Sequence, residues 1–185
     1  MNLTYQNGQA SLQLHRLMQS TVKRYVDKHK EHAIDKQKIY TSLAEALDSL
    51  FPYLTAVPNK DWEISKLFYP HVVKILNNNI EIDKFRKANL YKKLGYYNES
   101  VLYKLKDSLK YHKEALKMSQ GLYQSNQPDI AASLNNVGLA YRNLGCTSKG
   151  LKYQKAALKI SQDVYKSNYP FIAIFLNNIG LTYKT

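Results

Sequence analysis

Apolar positions along this chain recur with two periods. From Leu3 to Leu14 they alternate with polar ones, Leu3 and Tyr5 before Asn7-Gly8 and Leu12 and Leu14 after it. Alternation around Asn-Gly predicts a short β-hairpin, because that pair tolerates the positive φ angles of a type I′ turn. From Leu17 the period becomes helical: Leu17, Met18, Val22, Tyr25, Val26 and His29 fall on one stripe, with Lys23, Arg24, Asp27 and Lys28 opposite. A second helix from about Asp35 carries Ile39, Tyr40, Leu43, Ala44, Leu47 and Leu50 and stops before Pro52. A third, capped at Asn59 to Asp61, carries Ile64, Leu67, Phe68, Val72, Val73, Ile75 and Leu76 as far as the Asn77-Asn78-Asn79 break. Pro70 is expected to bend that helix or to mark its start.

The rest of the chain repeats itself. Leu109 to Arg142 is written again 42 residues later, from Leu151 to Lys184, with 21 of 34 positions identical. ALKMSQGLY matches ALKISQDVY, SNQPDIA matches SNYPFIA, and LNNVGLAY matches LNNIGLTY. A period of this length means stacked units, each a supersecondary element that buries its apolar face only against its neighbours. Each unit is predicted to hold a helix starting near Pro128 or Pro170, a turn at Leu144-Gly145, and a second helix of roughly Ser148 to Tyr165. Upstream, Ala88, Leu90, Tyr91, Leu94 and Gly95 are laid on Gly138, Ala140, Tyr141, Leu144 and Gly145 with an offset of 50, so that 8 extra residues fall between Gly95 and Leu109.

Within LNNVGLAY, Leu134, Val137, Gly138 and Tyr141 share one helical face. Gly138, with no side chain, lets a partner helix approach, and Gly180 is expected to do the same one period on. Tyr141 fills the neighbouring space as a core aromatic, and Ala115 and Ala157 supply the small contacts from the second helix.

This pattern resembles the tetratricopeptide repeat, and the 42-residue period with LNN-(V/I)-G-L-x-Y and A-L-K-(M/I) resembles its kinesin-light-chain-type variant. The match is strong over Leu109 to Lys184 and weak over Ile82 to Lys106. The resemblance implies an all-α fold, a right-handed solenoid of antiparallel helix pairs whose first helices line a concave groove that holds an extended or helical peptide. It further implies that Asn135 and Asn177 face the groove and bond a peptide backbone, with Leu139 and Arg142, and Leu181 and Lys184, beside them. Residues 135, 139 and 142 do form one stripe of a helix, turned away from 134, 138 and 141. An amide both donates and accepts, which suits capture of a backbone. The alternative is that Asn135 or Asn136 bonds the adjacent helix. Gln127 and Tyr169 stand where the resembling repeats more often carry histidine.

The front of the chain is similar to a different junction. LQLHRLMQSTVKRYV (12 to 26), a helix ending in LFP, and LFYPHVVKIL (67 to 76) resemble the passage from a winged-helix wing into repeats in signalling ATPases of the NB-ARC type. No G-x-x-x-x-G-K-[ST] occurs, so no nucleotide site accompanies it. Together these readings divide the chain into a hairpin at 1–16 as a winged-helix remnant, an α-helical adaptor at 17–80, and repeats at 82–185 with the last repeat incomplete. The final helix is expected to pack on the preceding unit and expose apolar residues, Leu176, Ile179 and Tyr183, on its other side.

Composition changes this picture little. Of 185 residues, 44% are apolar and 22% charged, an ordinary globular balance. No basic-then-apolar leader and no run of about 20 apolar residues occurs, so the expectation is a cytoplasmic chain with no membrane contact. Cys146 is the sole cysteine and has no partner for a disulfide or a shared metal. His29 and His32 stand three apart, but no further ligand at a suitable spacing completes a site. No nucleophile motif surrounds any serine. The expectation is therefore no enzyme activity, no cofactor, no metal and no small-molecule substrate. The net charge is +13, and the excess is greatest at 109–185, with ten basic and three acidic residues. It is mostly lysine without a dense run, so a solvated surface ranks above nucleic-acid binding. Three function classes follow in order: a scaffold for a protein or peptide ligand, acidic to suit the charge; the sensor segment of an NB-ARC-type ATPase; and an electrostatic nucleic-acid binder.

Overall fold

The computed structural model describes residues 20, 36–53, 60–78, 81–122, 128–165 and 170–184. Among these residues the protein is entirely helical, with α1 (Lys36–Leu50), α2 (Lys60–Asn77), α3 (Lys84–Ser100), α4 (Leu105–Leu122), α5 (Pro128–Asn143), α6 (Thr147–Tyr165) and α7 (Pro170–Tyr183). The predicted hairpin and nearly all of the first predicted helix lie outside the described residues; Ser20 alone is described there, as helical.

The front helices form where the apolar stripes predict them. In α1, Ala44 and Leu47 are buried one turn apart, and Phe51 is fully buried just beyond the helix, its N–H donating to the Leu47 carbonyl at 2.9 Å. Pro52 has no N–H with which to continue that ladder. In α2, Phe68, Val72, Ile75 and Leu76 face inward at helical spacing. Pro70 does not mark the start of α2: the helix begins at Lys60 and runs through the proline, which is exposed, as is Lys66, whose carbonyl goes without its usual donor.

Asp83 opens α3, its carboxylate accepting from the Arg86 backbone N–H at 2.9 Å, as an N-cap should. Burial pushes the Asp83 carboxyl up, but hydrogen bonds and charge from Arg86 outweigh it and hold the group below its ordinary range. One core joins α1, α2 and α3 through Leu47, Phe51, Val72, Ile75, Leu90 and Leu94. A second joins α4 to α7 through Leu116, Ile130, Leu134, Val137, Ala157 and Phe175.

From α3 onward the helices pair in chain order: α3 with α4, α5 with α6, and α5 also against α4, with α7 meeting α6 and α5. Gly145 turns the chain between α5 and α6 with φ 73°, the left-handed conformation that a side chain disfavours. Its N–H donates to the Arg142 carbonyl at 2.8 Å and that of Cys146 to the Tyr141 carbonyl at 2.9 Å, which closes the helix end. The corresponding turn between α3 and α4 uses Tyr103, at φ 54° and largely exposed.

Candidate functional site

Glycine contacts fix the register of the first helices. A methyl on Gly138 would stand 2.6 Å from Gln154 Cγ and 2.9 Å from the Gly150 carbonyl oxygen, so α5 and α6 touch there backbone to backbone. A methyl on Gly95 would stand 2.4 Å from the ring of His112, the residue 42 places before Gln154. Gly95 is therefore the counterpart of Gly138, offset by 43, and not of the turn residue Gly145. This corrects the offset of 50: no block of 8 residues is inserted, and the α3–α4 turn is one residue longer than the α5–α6 turn. Gly180 has no atom within 4 Å of the same position, so the close approach expected there is not made. Ala115 and Ala157 are fully buried as expected. Tyr141 is half-buried rather than a core residue, stacked on Tyr153 with ring centroids 5.5 Å apart.

In the corrected register three residue sets occupy one stripe on successive first helices: Lys92, Tyr96 and Glu99 on α3; Asn135, Leu139 and Arg142 on α5; Asn177 and Leu181 on α7, with Lys184 just past its end. The sequence reading missed the α3 set, and the 43-residue offset was the signal that would have found it. Several members of the stripe tie one helix to the next. The Tyr96 hydroxyl donates to Asn136 Oδ1 at 3.0 Å, joining α3 to α5. The Asn178 amide donates to Asn135 Oδ1 at 3.2 Å, joining α5 to α7. Lys92 meets the Asp129 carboxylate at 3.4 Å. Asn143 donates to Glu99 Oε1 at 2.7 Å, and the Ser108 hydroxyl donates to Glu99 Oε2 at 3.3 Å. Burial pushes the Glu99 carboxyl above its ordinary range, against the pull of those bonds and of Arg142.

Asn135 is thus only 6% exposed and already bonded to its neighbour, as the alternative reading had it, and Asn136 is likewise engaged by Tyr96. Leu139 and Arg142 are half-buried, and the guanidinium of Arg142 donates to Asn143. Asn177, Leu181 and Lys184 are exposed. The stripe is continuous in register, and its open members lie on α7 and the middle of α5. Gln127 and Tyr169 lie outside the described residues, as do His29 and His32.

Beside the stripe, Lys93 is almost fully buried. It donates to the Asp48 backbone carbonyl, pairs with the Asp48 carboxylate at 3.0 Å, and lies 5.0 Å from the ring centroid of Tyr53. Behind it, His112 is packed between α3 and α4 with the Tyr96 ring edge-on at 5.2 Å, and its Nδ1 has no partner among the described residues. Burial alone pulls its imidazole down to about 4, so it is neutral in the folded protein at physiological pH.

No protein-family description matches this chain, and no curated protein matches it by sequence. Among solved structures it is similar to the crystal structure of BtubC (BKLC) from P. vanneervenii, with a TM-score of 0.59 at 17% sequence identity, over 89% of this chain and 64% of that one. Likeness at that identity shows the fold alone, and the chain spans less than two thirds of that protein. The described residues have the all-α fold of a helical repeat protein. The winged-helix junction read at 12–26 lies almost wholly outside the described residues and draws no support from this similarity. No helix among the described residues is long and apolar enough to cross a membrane.

Proposed function

We propose that this chain is a tetratricopeptide-type scaffold of the kinesin-light-chain kind. Its pairs stack into a right-handed solenoid, and the stripe on α3, α5 and α7 lines a groove for a peptide or a segment of a partner protein. The role is binding rather than catalysis, needs no cofactor and belongs in the cytoplasm. The observation that supports the reading is the register of the three first helices, in which Leu139 and Leu181, and Arg142 and Lys184, hold equivalent positions. Leucines supply apolar contact and the two cations supply the preference for an acidic ligand. Asn177 is the amide left free to meet a peptide backbone, because Asn135, Asn136 and Asn178 are engaged with neighbouring helices.

Selection from a displayed random-peptide library tests this. Selected peptides should be enriched in acidic residues and should lose tenfold or more in affinity for Leu139→Ala/Leu181→Ala, while its far-UV circular dichroism stays that of wild type. Asn177→Ala alone should weaken binding by roughly fivefold, the worth of one net hydrogen bond. Undiminished affinity in the double variant would remove the groove from consideration.

A further inference from the structure

The second helices carry a feature the groove does not use. On α4, Lys106, Lys110, Lys113 and Lys117 are all exposed. At 100° per residue they fall within an arc of about 60°, opposite the buried residues Ser108, His112, Ala115, Leu116 and Ser119. On α6, Lys152, Lys155 and Lys159 repeat three of those positions, also exposed, over the buried Gln154, Ala157 and Ser161. Both rows therefore point away from the helices that α4 and α6 pack against. Lys113 of the α4 row and Lys149, one turn before the α6 row, lie 5.0 and 5.8 Å from the Tyr141 ring centroid, and Lys155 of the α6 row lies 5.5 Å from that of Tyr183.

Among the described residues, none of these ammonium groups is in an ion pair, whereas the buried Lys92 and Lys93 both are. Like charges three and four apart on one helix repel, a cost that Asp107 and Glu114 beside the α4 row and Asp163 after the α6 row offset only in part. The duplication nevertheless keeps lysine at all three shared positions; of the two acidic residues beside the α4 row, Asp107 is replaced by Lys149 and Glu114 by Ala156 on α6, where Asp163 follows the row in place of Gly121.

We propose that this lysine face binds the phosphate backbone of a nucleic-acid duplex without reading its sequence. The chemistry of the face selects among polyanions. Of the large apolar side chains exposed among the described residues, only Leu122 lies on α4 and none on α6, so the face has no anchors to insert into a lipid surface. It carries no arginine, the residue whose fork holds carboxylates bidentately. A duplex presents one charge per about 1.7 Å of axis on a rigid frame, while each row sets one lysine per roughly 5 Å of helix. Every lysine thus finds a phosphate without a matched spacing, and no chain has to be ordered first. The proposal is independent of the groove, which lies on the first helices.

The test is fluorescence anisotropy of a labelled 20-base-pair DNA duplex of mixed sequence. With four phosphates contacted, affinity should fall about 150-fold between 50 and 200 mM salt, and a second duplex of different sequence should bind equally. Lys110→Gln/Lys117→Gln/Lys152→Gln/Lys159→Gln leaves the lysines on the tyrosine rings in place. It should lose at least tenfold in affinity at 50 mM salt and at least half of the salt slope, with unchanged circular dichroism. Leu139→Ala/Leu181→Ala should bind the duplex as wild type does. The proposal is overturned by absence of duplex binding at 50 mM salt, by salt-independent binding, or by a folded quadruple variant that binds normally. It is equally overturned if polyglutamate or phosphatidylserine vesicles bind more tightly than the duplex at the same salt.

Discussion

Gly138 and Gly180 occupy the same position in two copies of one sequence, yet alanine should act on them with opposite signs. At Gly138 the new methyl would stand 2.6 Å from Gln154 Cγ and 2.9 Å from the Gly150 carbonyl oxygen. Carbon atoms in ordinary contact are about 3.5–4.0 Å apart. The Gln154 side chain has room to turn only by moving within a filled interior, and the Gly150 carbonyl belongs to the backbone of α6. The helix must therefore retreat from α5, and contacts around the crossing are stretched on their steepest side. Overpacking of this kind costs about 1–3 kcal/mol, offset by the roughly 0.5–1 kcal/mol that alanine gains over glycine in a helix. The net loss is about 1–2 kcal/mol, and at this chain length it lowers the melting temperature by about 2–8 °C. At Gly180 nothing lies within 4 Å, so only the helix term remains and α7 should gain roughly 0.5–1 kcal/mol. Thermal and urea melts followed by circular dichroism measure the whole fold, and the fluorescence of the single tryptophan, Trp62 on α2, follows the front core separately. Hydrogen exchange along α7 reads the gain at Gly180. A Gly138→Ala protein as stable as wild type, or two variants shifting the same way, would refute the close-approach reasoning.

Two further outcomes follow from the buried polar groups. His112 is neutral in the fold with its imidazole pulled down to about 4, while the unfolded chain titrates near 6.5. The unfolded state therefore takes up the proton first, and stability falls by up to about 3 kcal/mol as pH drops from 6.5 to 4. His112→Gln, the residue the equivalent position already holds, should flatten that part of a stability profile measured by urea melts; an unchanged slope would move the titration elsewhere. Lys93→Met leaves the Asp48 carboxylate and backbone carbonyl without their shared donor and should cost about 3 kcal/mol, the low end for a broken buried pair because Asn89 still donates to that carboxylate, read as a lower Trp62 melting midpoint.

What the sequence disclosed depended on how local the signal was. Pro128, Pro170 and Gly145 act through their own backbone, so the ends of α5, α6 and α7 were readable within a residue or two. The apolar stripes of α1 and α2 were readable for the same reason. Register in the first unit was not, because Leu94-Gly95 repeats the Leu-Gly dipeptide that makes the turn at Leu144-Gly145. In one place glycine serves a positive φ, in the other it serves a helix crossing, and only the partner across the crossing tells them apart. His112 opposite Gly95 and Gln154 opposite Gly138 make that distinction, through contacts 16 or 17 residues away in the chain. The amide pairs were harder still: Asn135 meets Asn178 across 43 residues, and nothing in LNN alone says which asparagine is engaged. Likewise the approach of Lys113 and Lys149 to one tyrosine ring joins residues on different helices, which the local pattern of lysines does not disclose.

The contacts between units explain why polar residues persist where apolar packing would serve stability. Leucine and valine faces between two helices tolerate sliding by a turn, since one apolar side chain replaces another at similar cost. A hydroxyl aimed at an amide oxygen does not, because a shift of one turn strands both groups. The Tyr96–Asn136 and Asn178–Asn135 bonds therefore set which residue of one first helix lies beside which residue of the next. In the proposed groove that register would bring the equivalent residues Leu139 and Leu181, and Arg142 and Lys184, to a ligand lying across α5 and α7. The second helices support that register from behind, through His112, Gly150 and Gln154, and carry their lysines outward on the opposite face. Stitching on one side and charge on the other are thus separable by mutation, so the two proposed binding activities can fail independently.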